Sequence, residues 1–358
     1  MHNRTLCSSV IFGVGVVIAV YVIRRKSLKK RNNSKELDEI DHQQQPSPHR
    51  NGSAIKLTSS ETVDGINPST MLELEKQGVH IRDLDYVKDI LQQMIEDGKD
   101  KLQVIADFDR TLTKYSHNGQ LVPTSHGIMD DSDLMPIDFK KAAADLRSEY
   151  YAIEIDSNLT VAEKCPFMIE WWTKAHDLLL KKCNIYQKDI KAIVSQSEAQ
   201  LRDGVDWMFK QLHKAEVPCL IFSAGVGDVI QEVIHYRSKM FDNMKIVSNF
   251  MQFDSSGKLI DFQGEMIHIF NKNESAIHES DYFTNLSHRD NVILLGDSVG
   301  DIRMAEGANS KNLLKIGYLN NNVSENLGKY MQLYDIVLEN DETFDLCNSL
   351  LRQILQTS

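Results

Sequence analysis

Leu102-Gln103-Val104-Ile105-Ala106-Asp107-Phe108-Asp109-Arg110-Thr111-Leu112-Thr113 is the stretch on which the reading of this chain turns. It opens as a short apolar run and ends in two carboxylates with one residue between them. A run of this length reads as a buried strand. Ligands of open parallel α/β sheets gather beyond the carboxyl ends of the strands, which puts Asp107 and Asp109 at the mouth of a site. Two carboxylates in one small volume repel, and a metal ion or a retained proton must offset them. Taken alone, the stretch is equally well read as a polar strand-to-loop turn with Thr111 as a helix cap.

The chain around it has 358 residues, a formal net charge of −11, 42% hydrophobic and 25% charged residues. Most of it is expected to fold. An acidic chain is a poor partner for nucleic acid, whose binding rests on neutralising phosphates with Lys and Arg, so no nucleic-acid partner is expected. Five scattered cysteines without a C-x-x-C suggest neither a disulfide framework nor a zinc site.

Residues 10–23 are the longest apolar run, followed at once by Arg24, Arg25 and Lys26. With Cys7, Ser8 and Ser9 it approaches the lower limit of a spanning helix. The heavier charge follows the run, which argues for an uncleaved anchor whose C-terminal side is cytosolic. Residues 1–31 are thus expected to be a membrane anchor with a basic flank. Residues 7–23 would tether a cytoplasmic catalytic domain to the endoplasmic reticulum or the mitochondrial outer membrane. The alternative is a signal peptide or a buried helix. Residues 32–67 are rich in Asn, Gln, Ser, Pro and charge, and read as a disordered linker.

Helical periodicity begins near Met71, and Gly98 is a plausible helix stop. From Thr113 to about Glu198 the pattern is mostly helical, with no clear strand. Residues 139–152 and 162–180 are the best helices, the second carrying Phe167, Trp171 and Trp172. Strands resume at 217–222, 245–248, 291–295, 313–318 and 335–338. Residues 250–264 read as a hairpin around Ser255-Ser256-Gly257. The expected fold is α/β: a Rossmann-like parallel sheet with helices on both faces, interrupted after its first strand by a helical cap. The core would take residues 68–114 and 205–358, and the cap residues 115–204.

Three more pieces fall at strand ends or between them. Ser223-Ala224-Gly225 precedes a helix and offers a hydroxyl and N–H groups to a phosphate; alone, an ordinary helix cap is the plainer reading. Gly296-Asp297-Ser298-Val299-Gly300-Asp301 adds carboxylates, the donors that Mg²⁺ accepts. Lys272 lies between these two pieces and matters only if phosphate and acid charge must be balanced.

In this order the pieces D-x-D-x-T, S-A-G, Lys and G-D-x-x-x-D resemble the haloacid dehalogenase superfamily. The resemblance runs from about residue 68 to the C-terminus. It is narrower still for the cytosolic 5′-nucleotidase III family, on Tyr150-Tyr151-Ala152-Ile153-Glu154, Glu170-Trp171-Trp172-Thr173-Lys174, Phe222-Ser223-Ala224-Gly225-Val226-Gly227-Asp228-Val229, Val247-Ser248-Asn249-Phe250-Met251 and Ile293-Leu294-Leu295-Gly296-Asp297-Ser298.

The resemblance implies a Mg²⁺-dependent 5′-nucleotidase that hydrolyses CMP, UMP or 7-methyl-GMP through an aspartyl-phosphate. It makes Asp107 the nucleophile and Asp109 the acid and base. Mg²⁺ would sit on Asp107, Asp109 and Asp297, with Asp301 auxiliary. Ser223 and the Ala224 N–H would hold phosphate, and Lys272 would neutralise nucleophile and phosphorus. Glu154 matches the base-reading carboxylate, suited to an exocyclic amino group. One of Trp171 and Trp172, preferably Trp171, would stack on the base. Ala175 stands where a serine is expected, which leaves the base preference open, and His176 is expected to pack rather than react. A monomer is expected. Two other readings are kept: a related phosphatase or phosphotransferase acting on another small phosphate ester, and a membrane-tethered, inactive nucleotide-binding protein.

Overall fold

The computed structural model describes residues 66–156, 158–273 and 282–356. The expected anchor, and the expected linker up to residue 65, lie outside them. Among the described residues no helix is long and apolar enough to cross a membrane. Ile66 is fully buried and the Asn67 side chain accepts from the Thr70 N–H at 2.9 Å, capping the helix Pro68–Leu74. Ordered structure thus reaches two residues into the segment read as linker.

In chain order the strands are β1 (Val79–Ile81), β2 (Leu102–Ala106), β3 (Ser116–His117), β4 (Gln120–Leu121), β5 (Cys219–Val226), β6 (Met244–Asn249), β7 (Met251–Phe253), β8 (Leu259–Phe262), β9 (Asn291–Gly296), β10 (Asn312–Leu319) and β11 (Ile336–Glu339). Seven of them form one sheet in the order β1-β11-β10-β9-β2-β5-β6. All neighbours are parallel except β1, which runs antiparallel to β11. The parallel core matches the expectation; the antiparallel edge strand does not appear in the sequence reading. At three residues it is too short to show a period of two.

The central strands β2, β5 and β9 are buried along their whole length. Their side chains alternate between two apolar layers. Val104, Ala106, Ile221, Ile293 and Leu295 join the layer built with the helices Leu84–Asp97, Val205–Lys214, Gly227–Arg237 and Asp345–Gln356. Ile105, Leu220, Phe222, Val292 and Leu294 join the other, with Phe283, Met304 and the helix Val323–Leu333 against it. A strand covered on both faces needs apolar residues throughout, which is why β2 reads as a continuous run rather than an alternation.

Between β2 and β5 lie the helices Ser125–Asp131, Ile137–Glu154, Val161–Lys182 and Gln187–Ser195. The stretch Leu159–Pro166 belongs to a separate small unit. There the Glu163 carboxylate accepts from the Thr160 N–H and hydroxyl, both at 2.9 Å, closing the start of its helix. The insertion is mostly helical, as read, with one short hairpin that the sequence reading lacks. Ser116–His117 and Gln120–Leu121 pair antiparallel around Asn118 and Gly119, which have φ of 51° and 75°. Asn-Gly with both residues left-handed is the preferred two-residue hairpin turn. The hairpin expected around Gly257 is present as β7 and β8, with Gly257 at φ 80°.

Candidate active site

Asp107 follows β2 directly, hydrogen-bonded through its N–H to the Leu295 carbonyl of β9 at 3.0 Å. The chain then turns through residues 108–112, where Arg110 takes a left-handed φ of 66°. This turn lets Asp107 and Asp109 line the same cavity. It is fastened from below by Arg202, which is fully buried. Arg202 donates to the carbonyls of Arg110 at 2.5 Å, Thr111 at 2.9 Å and Thr113 at 3.3 Å, and to the Asp341 carboxylate at 2.8 Å. The sequence reading did not single out Arg202; no motif surrounds it.

Lys272 Nζ, itself buried, contacts the carboxylates of Asp107 and Asp301, the latter at 2.8 Å. Burial works against its charge, but the two carboxylates outweigh that effect and raise its pKa. Burial pushes the Asp107 carboxyl up to about 7; Lys272 opposes the shift and Asp301 adds to it. Asp297 is likewise held well above the usual carboxylate range, by burial and then by Asp107 and Asp301. The Asp301 carboxylate is already engaged. One oxygen accepts from Lys272 and the other from the N–H groups of Asp297 and Ser298, at 3.1 and 2.8 Å.

Asp107, Asp297 and Asp301 each present a carboxylate oxygen within 4.8 Å of the others. Three such groups with one ammonium leave uncompensated negative charge, and hard oxygen donors suit a small divalent cation. The residues therefore fit a metal ion, with Asp301 the least available because both of its oxygens already accept hydrogen bonds.

Asp109 is fixed differently. Its carboxylate accepts from the Ser125 N–H at 2.7 Å and the Ser125 hydroxyl at 2.6 Å. Burial raises its pKa against these two hydrogen bonds. Ser125, in the insertion, is a second residue the sequence reading missed. The Ser125 hydroxyl also accepts from the Val226 N–H at 3.3 Å. A Cβ at Gly225 would fall 2.0 Å from that hydroxyl and 3.0 Å from the Asp109 carboxylate, so the glycine of Ser-Ala-Gly is required by close approach.

Ser223-Ala224-Gly225, read as a strand end before a helix, lies within β5, which runs on to Val226, and the pairing with β6 shifts register between Phe222 and Val226. Ser223 is buried and lines the cavity with Ala224. Asn249 ties this piece to the lysine loop: its amide donates to the Ala224 carbonyl at 2.9 Å and the Ile267 carbonyl at 2.8 Å. The lysine loop in turn meets the acidic loop so closely that a Cβ at Gly300 would fall 2.1 Å from the Ile269 carbonyl oxygen.

The cavity has a volume of about 590 Å³. Beyond the acids it is lined by Glu154, Tyr151, Trp171, Trp172 and Ala175. The Trp172 indole N–H donates to the Ala224 carbonyl at 2.8 Å, so this ring is committed to the strand end. Trp171 stacks on Tyr150 with centroids 6.0 Å apart and meets Trp172 edge-on at 5.0 Å. His176 does not line the cavity; it stacks on Phe262 at 3.7 Å, and burial holds its pKa down to about 3. Asp107, Asp109, Glu154, Trp171, Ser223, Ala224, Lys272 and Asp297 all line this cavity, while Asp301, read as auxiliary, is not among the lining residues.

A mostly parallel α/β core with an inserted helical segment carries two Asp, a Ser and a further Asp at its strand ends and a loop Lys on one cavity, the arrangement expected of a phosphohydrolase. The pyrimidine 5′-nucleotidase (UMPH-1) family matches residues 110–355. The 7-methylguanosine phosphate-specific 5′-nucleotidase of Gallus gallus is 49% identical over 284 residues, 79% of this chain and 98% of that protein. The protein of the same description from Homo sapiens is 45% identical over 283 residues, 79% and 94% of the two chains. The crystal structure of cytosolic 5′-nucleotidase IIIB bound to cytidine superposes with a TM-score of 0.73 at 37% identity, covering 79% of this chain and 95% of that one. The chain belongs to the pyrimidine 5′-nucleotidase family and is a 5′-nucleotidase.

Proposed function

We propose that this 5′-nucleotidase hydrolyses CMP, UMP or 7-methyl-GMP to nucleoside and phosphate in the presence of Mg²⁺, through an aspartyl-phosphate on Asp107. The observation that carries the reading is one cavity lined both by the acid cluster with its lysine and by Glu154 and Trp171. An aromatic wall and a carboxylate suit an amino-bearing base.

Asp107 attacks phosphorus in line as the O5′ bond breaks. Asp109, oriented by Ser125, gives the departing O5′ a proton. It then takes one from the water that cleaves the acyl phosphate. Lys272 favours the carboxylate form of Asp107 against burial and offsets charge on the phosphoryl oxygens; Ser223 and the Ala224 N–H bind those oxygens. Asp107, the Asp109 main-chain oxygen and Asp297 would hold Mg²⁺, which when bound screens the repulsion between nucleophile and phosphate. Glu154 reads the base and Trp171 stacks on it.

We assign residues 68–114 and 205–358 to the core and 115–204 to the cap, and take the chain as a monomer. The apolar run 10–23 and the basic residues after it support a tether that leaves the catalytic part in the cytoplasm. A phosphatase of another small ester is less favoured because the aromatic wall would have no counterpart in its substrate. An inactive binding protein is less favoured because each reacting group is present. Phosphate release from a panel of nucleoside monophosphates, with Mg²⁺ and with a chelator, tests the reading. Release from a small phosphate ester but from no nucleotide would overturn it.

A further inference from the structure

Arg110 lies within the D-x-D-x-T piece but has no part in the chemistry so far described. Its φ of 66° is costly for a residue with a side chain, by roughly 1–2 kcal/mol per residue. Such an outlier persists only where the surroundings impose it. Here Arg202 and Asn320 donate to the Arg110 carbonyl at 2.5 and 3.0 Å. The side chain lines the cavity, with its guanidinium carbon 5.3 Å from the centre of the Tyr115 ring. The guanidinium hydrogen-bonds Tyr151 and faces the charges of Asp297 and Glu154.

The other cations lining the cavity, among the described residues, are Lys272 and Arg147. Lys272 is engaged by Asp107 and Asp301. Arg147 lies 4.0 Å from Asp130 and 3.8 Å from Asp131. Arg110 is therefore a cavity-lining positive charge that interacts with both Asp297 and Glu154. A guanidinium keeps its charge at any working pH and repels a second cation in a poorly screened cavity.

We propose that Arg110 is a specificity-determining residue: its charge tempers the Glu154 carboxylate and biases the cavity toward neutral amino-bearing bases and against bases that carry a positive charge. The inference rests on the reading that Glu154 faces the base, and it concerns the choice between a neutral base such as cytosine and a cationic one such as 7-methylguanine. Tyr151, adjoining the Ala152-Ile153-Glu154 segment, gives the guanidinium its seat beside Glu154.

The test compares kcat/KM for 7-methyl-GMP and CMP in the full chain and in Arg110→Met, Arg110→Gln and Arg110→Lys. Gln keeps a donor for Tyr151 without the charge, and Lys keeps a charge without the fork. The ratio of 7-methyl-GMP to CMP should rise roughly tenfold in the Met and Gln variants, the effect of removing one partly screened charge at this range, and stay within about twofold of the parent in the Lys variant. Quenching of Trp171 and Trp172 fluorescence by 7-methylguanosine and by cytidine gives the same ratio without turnover, should a variant be slow. An unchanged ratio in both neutral variants, with Glu154→Ala still altering it, overturns the role of Arg110 and leaves the base-reading role of Glu154 standing. If Glu154→Ala alters it no more than they do, the base-reading assignment falls and the role of Arg110 with it.

Discussion

The Ser125 hydroxyl donates to the Asp109 carboxylate at 2.6 Å, while the Ser125 N–H holds the other oxygen at 2.7 Å. A residue of the insertion thereby sets the direction of a carboxylate on the catalytic turn, 16 positions earlier in the chain.

Removing that hydroxyl has a signed consequence. Burial raises the Asp109 pKa, and the Ser125 hydrogen bonds pull it back. In Ser125→Ala one of those restraints is lost, so the carboxyl should hold its proton to higher pH. The alkaline limb of the kcat profile should move upward, and the rate below that limb should fall by roughly ten to a hundredfold as the acid loses its orientation. A steady-state pH series measures both effects; an unmoved limb would mean that Asp109 is not the proton donor.

Metal binding should be linked to pH. The Asp107 carboxyl is raised to about 7 and Asp297 is also raised. Both therefore retain protons in the metal-free fold at pH values where the unfolded chain has released them, and a cation must displace those protons. The rise in Tm given by millimolar Mg²⁺ should be small below pH 6 and grow as the pH passes about 7. Thermal melts with Mg²⁺ and with chelator, at pH 5.5 and 8, check this, and an equal rise at both would contradict it.

Arg202 is the fastening of the catalytic turn. Arg202→Met removes the buried cation from Asp341 and one donor from each of the carbonyls of Arg110, Thr111 and Thr113. Breaking a buried pair on one side costs about 3–5 kcal/mol. Urea unfolding should show a loss of this size. Since Asp107 and Asp109 stand on the same turn, kcat should fall even at temperatures where the variant stays folded.

The base-reading assignment has its own check. Glu154→Ala should cost roughly ten to a hundredfold in kcat/KM for CMP and leave the hydrolysis of ribose 5-phosphate nearly unchanged. Equal losses on both substrates would remove Glu154 from base recognition.

Much of this site was legible because its parts are local. Asp107, Asp109, Ser223 and Asp297 each follow or end an apolar run, and strand ends of a parallel sheet converge by construction. Lys272 could be named only through the resemblance, because nothing in Phe270-Asn271-Lys272-Asn273 marks it apart from a solvated loop lysine. Ser125, Arg110 and Arg202 were not legible as site residues. Their roles depend on contacts across 16 to 210 positions, and each sits in a stretch that reads equally well as a helix start, a turn or a surface charge. The β3–β4 hairpin is a different kind of omission: Asn118-Gly119 carries a turn signal, but two-residue strands give no period to accompany it.

The central claim is that Asp107 becomes phosphorylated. Rapid acid quenching of the full chain with 5′-³²P-labelled CMP and Mg²⁺, followed by peptide mapping, tests it most directly. The account predicts an alkali-labile label on the peptide carrying Asp107, absent from Asp107→Asn together with turnover. A label elsewhere, or an Asp107→Asn enzyme that releases phosphate at the parent rate, would contradict it.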